Sequence, residues 1–466
     1  MLQSLRNIWE IPDLRKRVLF TLGLLAVYRL GNHIPTPGIN AAALIDFFEQ
    51  NQGNWFGLVD MFSGGNLAKV TVFALGIMPY ISASIILQLL TVVWPYLEKL
   101  SKEGELGRRK ITQYTRYGTV LLCLVQSLGI SVYLERMTVD QSFQIVEHPG
   151  WAFKAMTVLT LTTGAAFVMW LGEQITERGI GNGMSLLIFA GIVVGFPRGL
   201  FDTVQKIGRG ELGLLSTLVL LAMMILVVGI IVFVERGQRR ITVQYAKRVV
   251  GRRMYGGQST HLPLRVNTSG VMPVIFAASI IAFPQTIASY FQAQSPWMQS
   301  VSEQLQWGMP LYNLLYVSFI IFFCYFYTAI VFNPDDVAEN MRKYGGFIPG
   351  IRPGKRTSEH LDHILSRITF GGAVYLAVIA LLPEFLIAGF KVAPIPVIGA
   401  PLDMFLSDNN LGWITQGLGL NFYFGGTSLL IVVGVAMDTV SQIEAQLVMR
   451  HYDGFSGKGR RIRGRR

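Results

Sequence analysis

The sequence predicts an all-α polytopic membrane protein with ten transmembrane helices. Three observations carry that prediction. Of 466 residues, 51% are hydrophobic and only 15% are charged, against roughly 25% charged in soluble globular chains. Leu212–Val234 (LGLLSTLVLLAMMILVVGIIVFV) and Leu311–Phe332 (LYNLLYVSFIIFFCYFYTAIVF) contain no charge at all, and roughly 20 such residues cross a bilayer core as a helix. Lys and Arg gather in alternate loops. Disorder is excluded by 29 Phe, 17 Tyr and 8 Trp. The two cysteines, Cys123 and Cys324, sit in apolar runs, so neither a disulfide scaffold nor a metal knuckle is on offer.

Apolar stretches place the spans at about 18–34, 70–94, 117–137, 152–172, 184–204, 212–234, 270–292, 311–332, 368–390 and 421–443. An even count puts both termini on one side. That side then holds 32 of the 40 Lys and Arg residues. The other eight are Arg29, Lys69, Arg136, Lys154, Arg198, Lys206, Arg209 and Lys391. The positive-inside rule makes the basic side cytoplasmic. The first span has a basic flank (Arg15, Lys16, Arg17), and Ala41–Ala43 mimics a cleavage site. Its apolar stretch is long for a signal-peptide core and nine spans follow, so an uncleaved helix is expected.

Segment 57–69 (GLVDMFSGGNLAK) is glycine-broken and too short to cross. Two readings stay open for it. One is a re-entrant piece in a protein- or water-lined cavity, the only place where irregular backbone survives at membrane depth; the other is an interfacial loop. Glycines within the spans (Gly164, Gly172, Gly191, Gly195, Gly371, Gly372, Gly434) read as sites of close helix approach.

Two cytoplasmic loops are long. In Arg236–Asn267, alternation around Ile241–Tyr245 and turns at Gly251 and Gly256-Gly257 indicate a hairpin with Lys247, Arg248, Arg252 and Arg253 at its tip. In Asn333–Arg367, Pro349, Gly350, Pro353 and Gly354 force a rigid turn that presents Arg352. Basic loops enforce topology or touch anionic headgroups, but long ordered loops carry function. A basic tip suits RNA phosphates or an acidic protein groove.

Several patterns carry no chemistry. Gly350–Thr357 (GIRPGKRT) has three residues between its glycines and Arg356 after its lysine, so it is no phosphate-binding loop. Gly179–Gly183 (GIGNG) lacks a preceding strand and suits a tight turn. His360 and His363 read as a polar helix face. No nucleophile–His–carboxylate set and no cofactor site emerges. Within the spans, Arg29 and Glu384 fall near the outer ends and Asp438 toward the inner end of the last span. Ion-driven transporters bury charges near the midplane. An apolar centre instead suits a dewetting gate or a structural core. The ten spans divide into two groups of five near Gly208, which is compatible with an inverted repeat. Three function classes follow: a channel, a secondary transporter of a small solute, and a poreless scaffold.

Specific motifs narrow the choice. Met61–Val93 (MFSGGNLAKVTVFALGIMPYISASIILQLLTVV), GRRKITQYTRYGT (107–119), WLGEQITERGIGNGMS (170–185), VERGQRRITVQYAKR (234–248), QSTHLPLRVN (258–267), FNPDDVAENMRKYGGFIPGIRPG (332–354) and FYFGGTSLLIVV (422–433) closely resemble the SecY/Sec61-alpha family of protein-conducting channels. The resemblance covers nearly the whole chain and departs in the tail 457–466 and in segment 391–420.

The resemblance implies two pseudo-symmetric five-helix halves around a central pore, 1–205 and 206–443, followed by a basic tail at 444–466. It implies a re-entrant plug within 57–69, carried by Met61, Phe62, Ser63, Gly64, Gly65 and Asn66. Ile77, Ile81, Met184, Ile188, Ile275 and Ile431 match the apolar ring that closes the waist. Met184 departs from the more usual Ile, and its flexible thioether makes that part of the seal more pliable. Ser82 and Phe283 match a lateral gate through which signal peptides and nascent chains reach lipid. The implied partners are small membrane subunits SecE and SecG and, on the basic loops, the SecA motor or the ribosome. Arg352 is the foremost docking residue, then Arg252 and Arg253, with Lys247 and Arg248 beside them. The implied location is a bacterial plasma membrane, and the channel itself is passive rather than enzymatic.

Overall fold

In the computed structural model the described residues are 11–40, 44, 65–67, 69–140, 145–209, 214–245, 248–250, 253–255, 259–291, 296–305, 308–388 and 426–455. They are mostly helical. In chain order the elements are α1 (Pro12–Gly31), α2 (Met78–Val93), α3 (Pro95–Lys102), α4 (Glu105–Asp140), α5 (Trp151–Arg178), α6 (Gly183–Gly208) and α7 (Leu214–Arg236). Strands β1 (Gln238–Tyr245), β2 (Arg248–Val250), β3 (Arg253–Tyr255) and β4 (Ser259–Arg265) follow. Then come α8 (Met272–Phe291), α9 (Pro296–Gln304), α10 (Pro310–Val331), α11 (Pro334–Lys343), β5 (Gly346–Phe347), α12 (Lys355–Ala388) and α13 (Gly426–Phe455).

Among these residues, α4, α5, α10, α12 and α13 hold stretches long and apolar enough to cross a membrane, and the count is six if the bent pair α2–α3 forms one span. Ten spans are expected from hydropathy; five or six are counted among the described residues, and α7 (Leu214–Arg236) is a further 23-residue apolar helix. α1 carries Asp13, Arg15, Lys16, Arg17 and Arg29. α6 and α8 contain shorter apolar stretches, Gly183–Pro197 and Met272–Ile281.

The second expected span also starts late. Residues 72–77 form turns, with Ala74 N–H donating to Thr71 O and Gly76 N–H to Phe73 O. Gly76 has φ +54°, a left-handed conformation that glycine adopts without steric cost. Pro79 then sits in the first turn of α2, where a missing N–H is harmless. Pro95 ends the span: Trp94 before it is extended, as a pre-proline residue prefers, and α3 leaves at 98° to α2.

The chain divides into two units, one of Met1–Gln52, Phe56–Pro197 and Val435–Arg466, the other of Gly53–Trp55 and Arg198–Gly434. In the first, Ile39, Leu44, Leu67, Val70, Ala74, Leu75, Cys123, Leu134, Ile145, Val146, Phe153, Leu161 and Ala165 form an apolar core. Two isolated bridges, Pro35 to Thr71 and Ile39 to Val146, lace the connections over it. α4 and α5 are joined by Arg116–Glu173 and by Lys154–Glu135.

In the second unit, β1 pairs antiparallel with β4 from Gln238↔Arg265 to Gln244↔Ser259, and β2 with β3. This is the long hairpin that the alternation around Ile241–Tyr245 anticipates. β5, from the other long loop, pairs with the free edge of β1, giving the order β4–β1–β5. Ile241 and Leu264 from the sheet, Ile348 after β5, and Leu361, Ile364 and Leu365 from α12 share one core. The two basic loops are therefore one folded body.

Candidate functional site

The six residues expected to form a ring, Ile77, Ile81, Met184, Ile188, Ile275 and Ile431, are all buried. In the first unit, Ile77 is the residue before α2, and Ile81 N–H donates to its carbonyl at 3.1 Å. The two therefore share a helix face one turn apart. Met184 and Ile188 are likewise one turn apart on α6. Asn182 starts that helix: its Oδ1 accepts from Met184 N–H at 3.1 Å, a capping bond. Gly183 N–H donates to Thr176 Oγ1 at 2.9 Å. The turn before it is pinned at two more places. Ile180 N–H donates to Thr21 Oγ1 of α1 and Gly181 N–H to Gln442 Oε1 of α13, both at 3.1 Å. Leu14 and Ile180 bury against Ile443 and Leu447 beside them. The GIGNG segment is thus a tight turn, with Gly181 at φ +88°.

In the second unit, Ile275 N–H donates to Val271 O in the first turn of α8. A Cβ built on Gly434 would meet Val271 Cγ1 at 2.5 Å. Gly434 lies three residues after Ile431, so the segments bearing Ile275 and Ile431 pack backbone against side chain. Gly164 against Val72, and Gly372 against Val266, are similar close approaches, whereas Gly371 faces open space.

Of the plug residues, Met61, Phe62, Ser63 and Gly64 lie outside the described residues. Gly65 has φ +82° and Asn66 is 1% exposed. Asn66 Nδ2 donates to Tyr28 Oη at 3.5 Å. The Asn32 amide is oriented with its oxygen 3.1 Å from both Asn66 Nδ2 and Arg29 Nη1, and its nitrogen donates to Tyr28 O at 3.0 Å. Tyr28 also stacks on Phe73 at 5.9 Å. The end of α1 therefore holds Asn66 by polar contacts and Phe73 by an aromatic one. Sequence reading missed this latch, because Asn32 and Asn66 are ordinary loop residues until the fold buries them together.

Ser82 is half-buried on α2. Phe283 lies in α8 before Pro284, and its side chain is outside the described residues, as are Lys247 and Arg252. Arg248 falls in β2 and Arg253 in β3, where their backbones pair with Tyr255 and Val250. Arg352 is exposed. Its carbonyl accepts from Thr357 Oγ1 at 3.0 Å, and the flanking Gly350 (φ +83°) and Gly354 (φ +105°) shape the turn. Arg239 and Arg240 are exposed on β1 of the same body, while Ile241 and Val243 face inward. The geometry offers apolar side chains near the starts of α2, α6, α8 and α13, a polar latch before α2, and a basic body beyond α7, α8, α10 and α12.

The model of one protein family, SecY, matches residues 71–440. This chain belongs to the SecY family. It is 50% identical over 445 residues to the protein translocase subunit SecY of Escherichia coli strain K12, covering 95% of this chain and 94% of the relative. It is 47% identical over 462 residues to the SecY subunit of Streptomyces coelicolor, covering 98% and 100%. In fold it resembles a solved protein-conducting channel with TM-score 0.61 and 16% identity, over 93% of this chain and 92% of that one. It likewise resembles Sec61 in the canine ribosome–channel complex of the endoplasmic reticulum, with TM-score 0.57 and 15% identity over 93% and 92%. A SecY-family chain with several apolar helices is a multi-pass membrane protein.

Proposed function

We propose that this chain is the passive central subunit of a protein-conducting channel, which passes secretory proteins across a bacterial plasma membrane and releases apolar segments sideways into lipid. The observation that carries the reading is that half of its residues match a translocase subunit along 94% of that relative's length.

The residues suit the task. Ile77, Ile81, Met184, Ile188, Ile275 and Ile431 form the closing ring in this reading. Apolar side chains offer a hydrated ion no ligands, and a narrow apolar waist gates by dewetting. They make no directional bonds either, so they spread around any passing side chain. Residues 57–69 form the plug that seats on the ring, held at its base by Asn66. Ser82 and Phe283 line the lateral gate, where a signal peptide or nascent segment partitions by its own hydrophobicity.

The apolar runs support ten spans, the family resemblance supports two halves, 1–205 and 206–443, and the Lys/Arg asymmetry supports a cytoplasmic side for both termini and the tail 444–466. The folded basic body then faces the cytoplasm. It docks the SecA motor or the ribosome through Arg352 and the hairpin tip (Lys247, Arg248, Arg252, Arg253), and anionic headgroups meet its rim. The driving energy comes from the docked partner. SecE and SecG complete the membrane complex.

The test is ion conductance in planar bilayers, comparing the chain and its small membrane partners with a variant lacking residues 60–66. Silence from the intact complex and large, flickering conductance from the deletion support a sealed aqueous pore. Silence from both, with insertion verified, removes the plug assignment and directs attention to saturable solute uptake, which a secondary transporter would show.

A further inference from the structure

We propose that Glu235 and Asn267 are positioning residues that tie the cytoplasmic docking body to the ring helix α8, so that force on the basic body reaches Ile275. The inference rests on the docking and ring assignments above and adds the residues that couple them.

The observation is where the hairpin stands. The β1–β4 ladder ends at Gln238↔Arg265. One step further, Val266 N–H donates to Gly237 O at 3.0 Å and Gly237 N–H to Val234 O at 2.9 Å. Both feet of the hairpin thus meet at the end of α7. Asn267, 3% exposed, follows. Its Nδ2 donates to Glu235 Oε1 at 2.7 Å and to Gly270 O at 3.1 Å, and its Oδ1 accepts from Ser269 Oγ at 3.1 Å. One buried amide therefore grips the last turn of α7 and the turn that opens α8. Gly270, at φ +61°, sets that turn. Val271 comes next, against Gly434, and Ile275 one helical turn later.

The bond to a carboxylate is charge-assisted, and such bonds are short and strong. Asn267 is buried and Glu235 half-buried, so water only partly replaces a lost bond between them. The joint is therefore stiff. A shift of the sheet moves Asn267, Asn267 moves Gly270, and α8 moves with it. The alternative is a local cap for α8, which would stabilise the fold without linking docking to opening.

The test uses the complex in proteoliposomes, with SecA and ATP driving a preprotein inward. The apparent KM for the motor, the maximal translocation rate and the amount of folded channel are measured for each variant. Asn267→Leu removes both donated bonds. Asn267→Asp sets two carboxylates against each other. Asn267→Asp combined with Glu235→Gln restores one N–H···O bond with donor and acceptor exchanged. The single variants are expected to lower the maximal rate roughly fivefold or more, a typical coupling magnitude, with KM for the motor little changed. The exchanged pair is expected to recover most of the rate. Arg352→Glu is expected to raise KM instead.

A wild-type rate for Asn267→Asp overturns the inference. So does a joint fall in rate, KM quality and folded amount that the exchanged pair fails to rescue, since that is the mark of a merely structural cap. An unchanged KM for Arg352→Glu overturns the docking assignment, and the inference falls with it.

Discussion

Gly183 lies against the carbonyl oxygen of Gly172, so close that a Cβ on Gly183 would collide with it. α6 therefore begins in direct backbone contact with α5, one residue before Met184. The same Gly172 faces Met184 Sδ on its other side. A pair of small residues sets where Met184, a proposed ring residue, sits, because small residues let helix backbones approach.

The two glycines differ in what a methyl group would meet, and that yields a graded expectation. Gly183→Ala drives a Cβ into backbone, which cannot yield, and is expected to destabilise at the upper end of the roughly 1–3 kcal/mol typical of overpacking. Gly172→Ala meets chiefly the thioether of Met184, which rotates away at small cost. Thermal unfolding of the two variants in the same detergent checks the order. Equal losses would remove the account.

The Asn66 latch, at the base of the proposed plug, is open to a similar test. Asn66→Leu removes one hydrogen bond from Tyr28 Oη and one from the Asn32 amide in a buried site, at about 1–3 kcal/mol. In planar bilayers this variant is expected to show brief conductance bursts, fewer than the deletion of 60–66. Silence identical to the parent complex would mean that Asn66 does not hold the plug.

The ion pair between α4 and α5 has a modest expected value. Arg116 Nε sits 2.8 Å from Glu173 Oε1, but the arginine side chain is 46% exposed. Solvent screening limits such a pair to about 0.5–1 kcal/mol. A double-mutant cycle with Arg116→Met and Glu173→Gln, followed by unfolding in low and high salt, should give a coupling of that size that shrinks as salt rises. A coupling of several kcal/mol would show that the pair is far drier than its exposure indicates.

Docking on the basic body should depend on salt. Arg239, Arg240 and Arg352 are exposed on the folded unit made by β1, β4, β5 and the start of α12. Charges on a surface are screened beyond about 8 Å at physiological ionic strength. The affinity of a docked partner is expected to fall steadily between low and high salt, with Arg352→Glu weakening it most at low salt. An affinity independent of salt would assign the contact to the apolar residues of the body instead.

Much of this protein was legible in its residues alone. Apolar runs name a membrane chain because lipid admits only backbone that satisfies its own hydrogen bonds. The hairpin was legible in the alternation around Ile241, since side chains on a strand alternate faces. The tight turn before Met184 was legible in its glycines.

Only the tertiary structure decided the rest. α2 begins at Met78 rather than near Val70, because a left-handed Gly76 and the packing of Val70, Ala74 and Leu75 into a core outweigh the local apolar run. β5 joins the edge of β1 and fuses two loops about 100 residues apart in sequence (Gln244 pairs with Phe347). Asn32 meets Asn66, and Glu235 meets Asn267, across shorter gaps, 32 residues in the second case. Hydropathy and periodicity report how each residue is buried locally. Which polar group satisfies which is a long-range matching problem, and it is resolved only when the folded chain removes both partners from solvent.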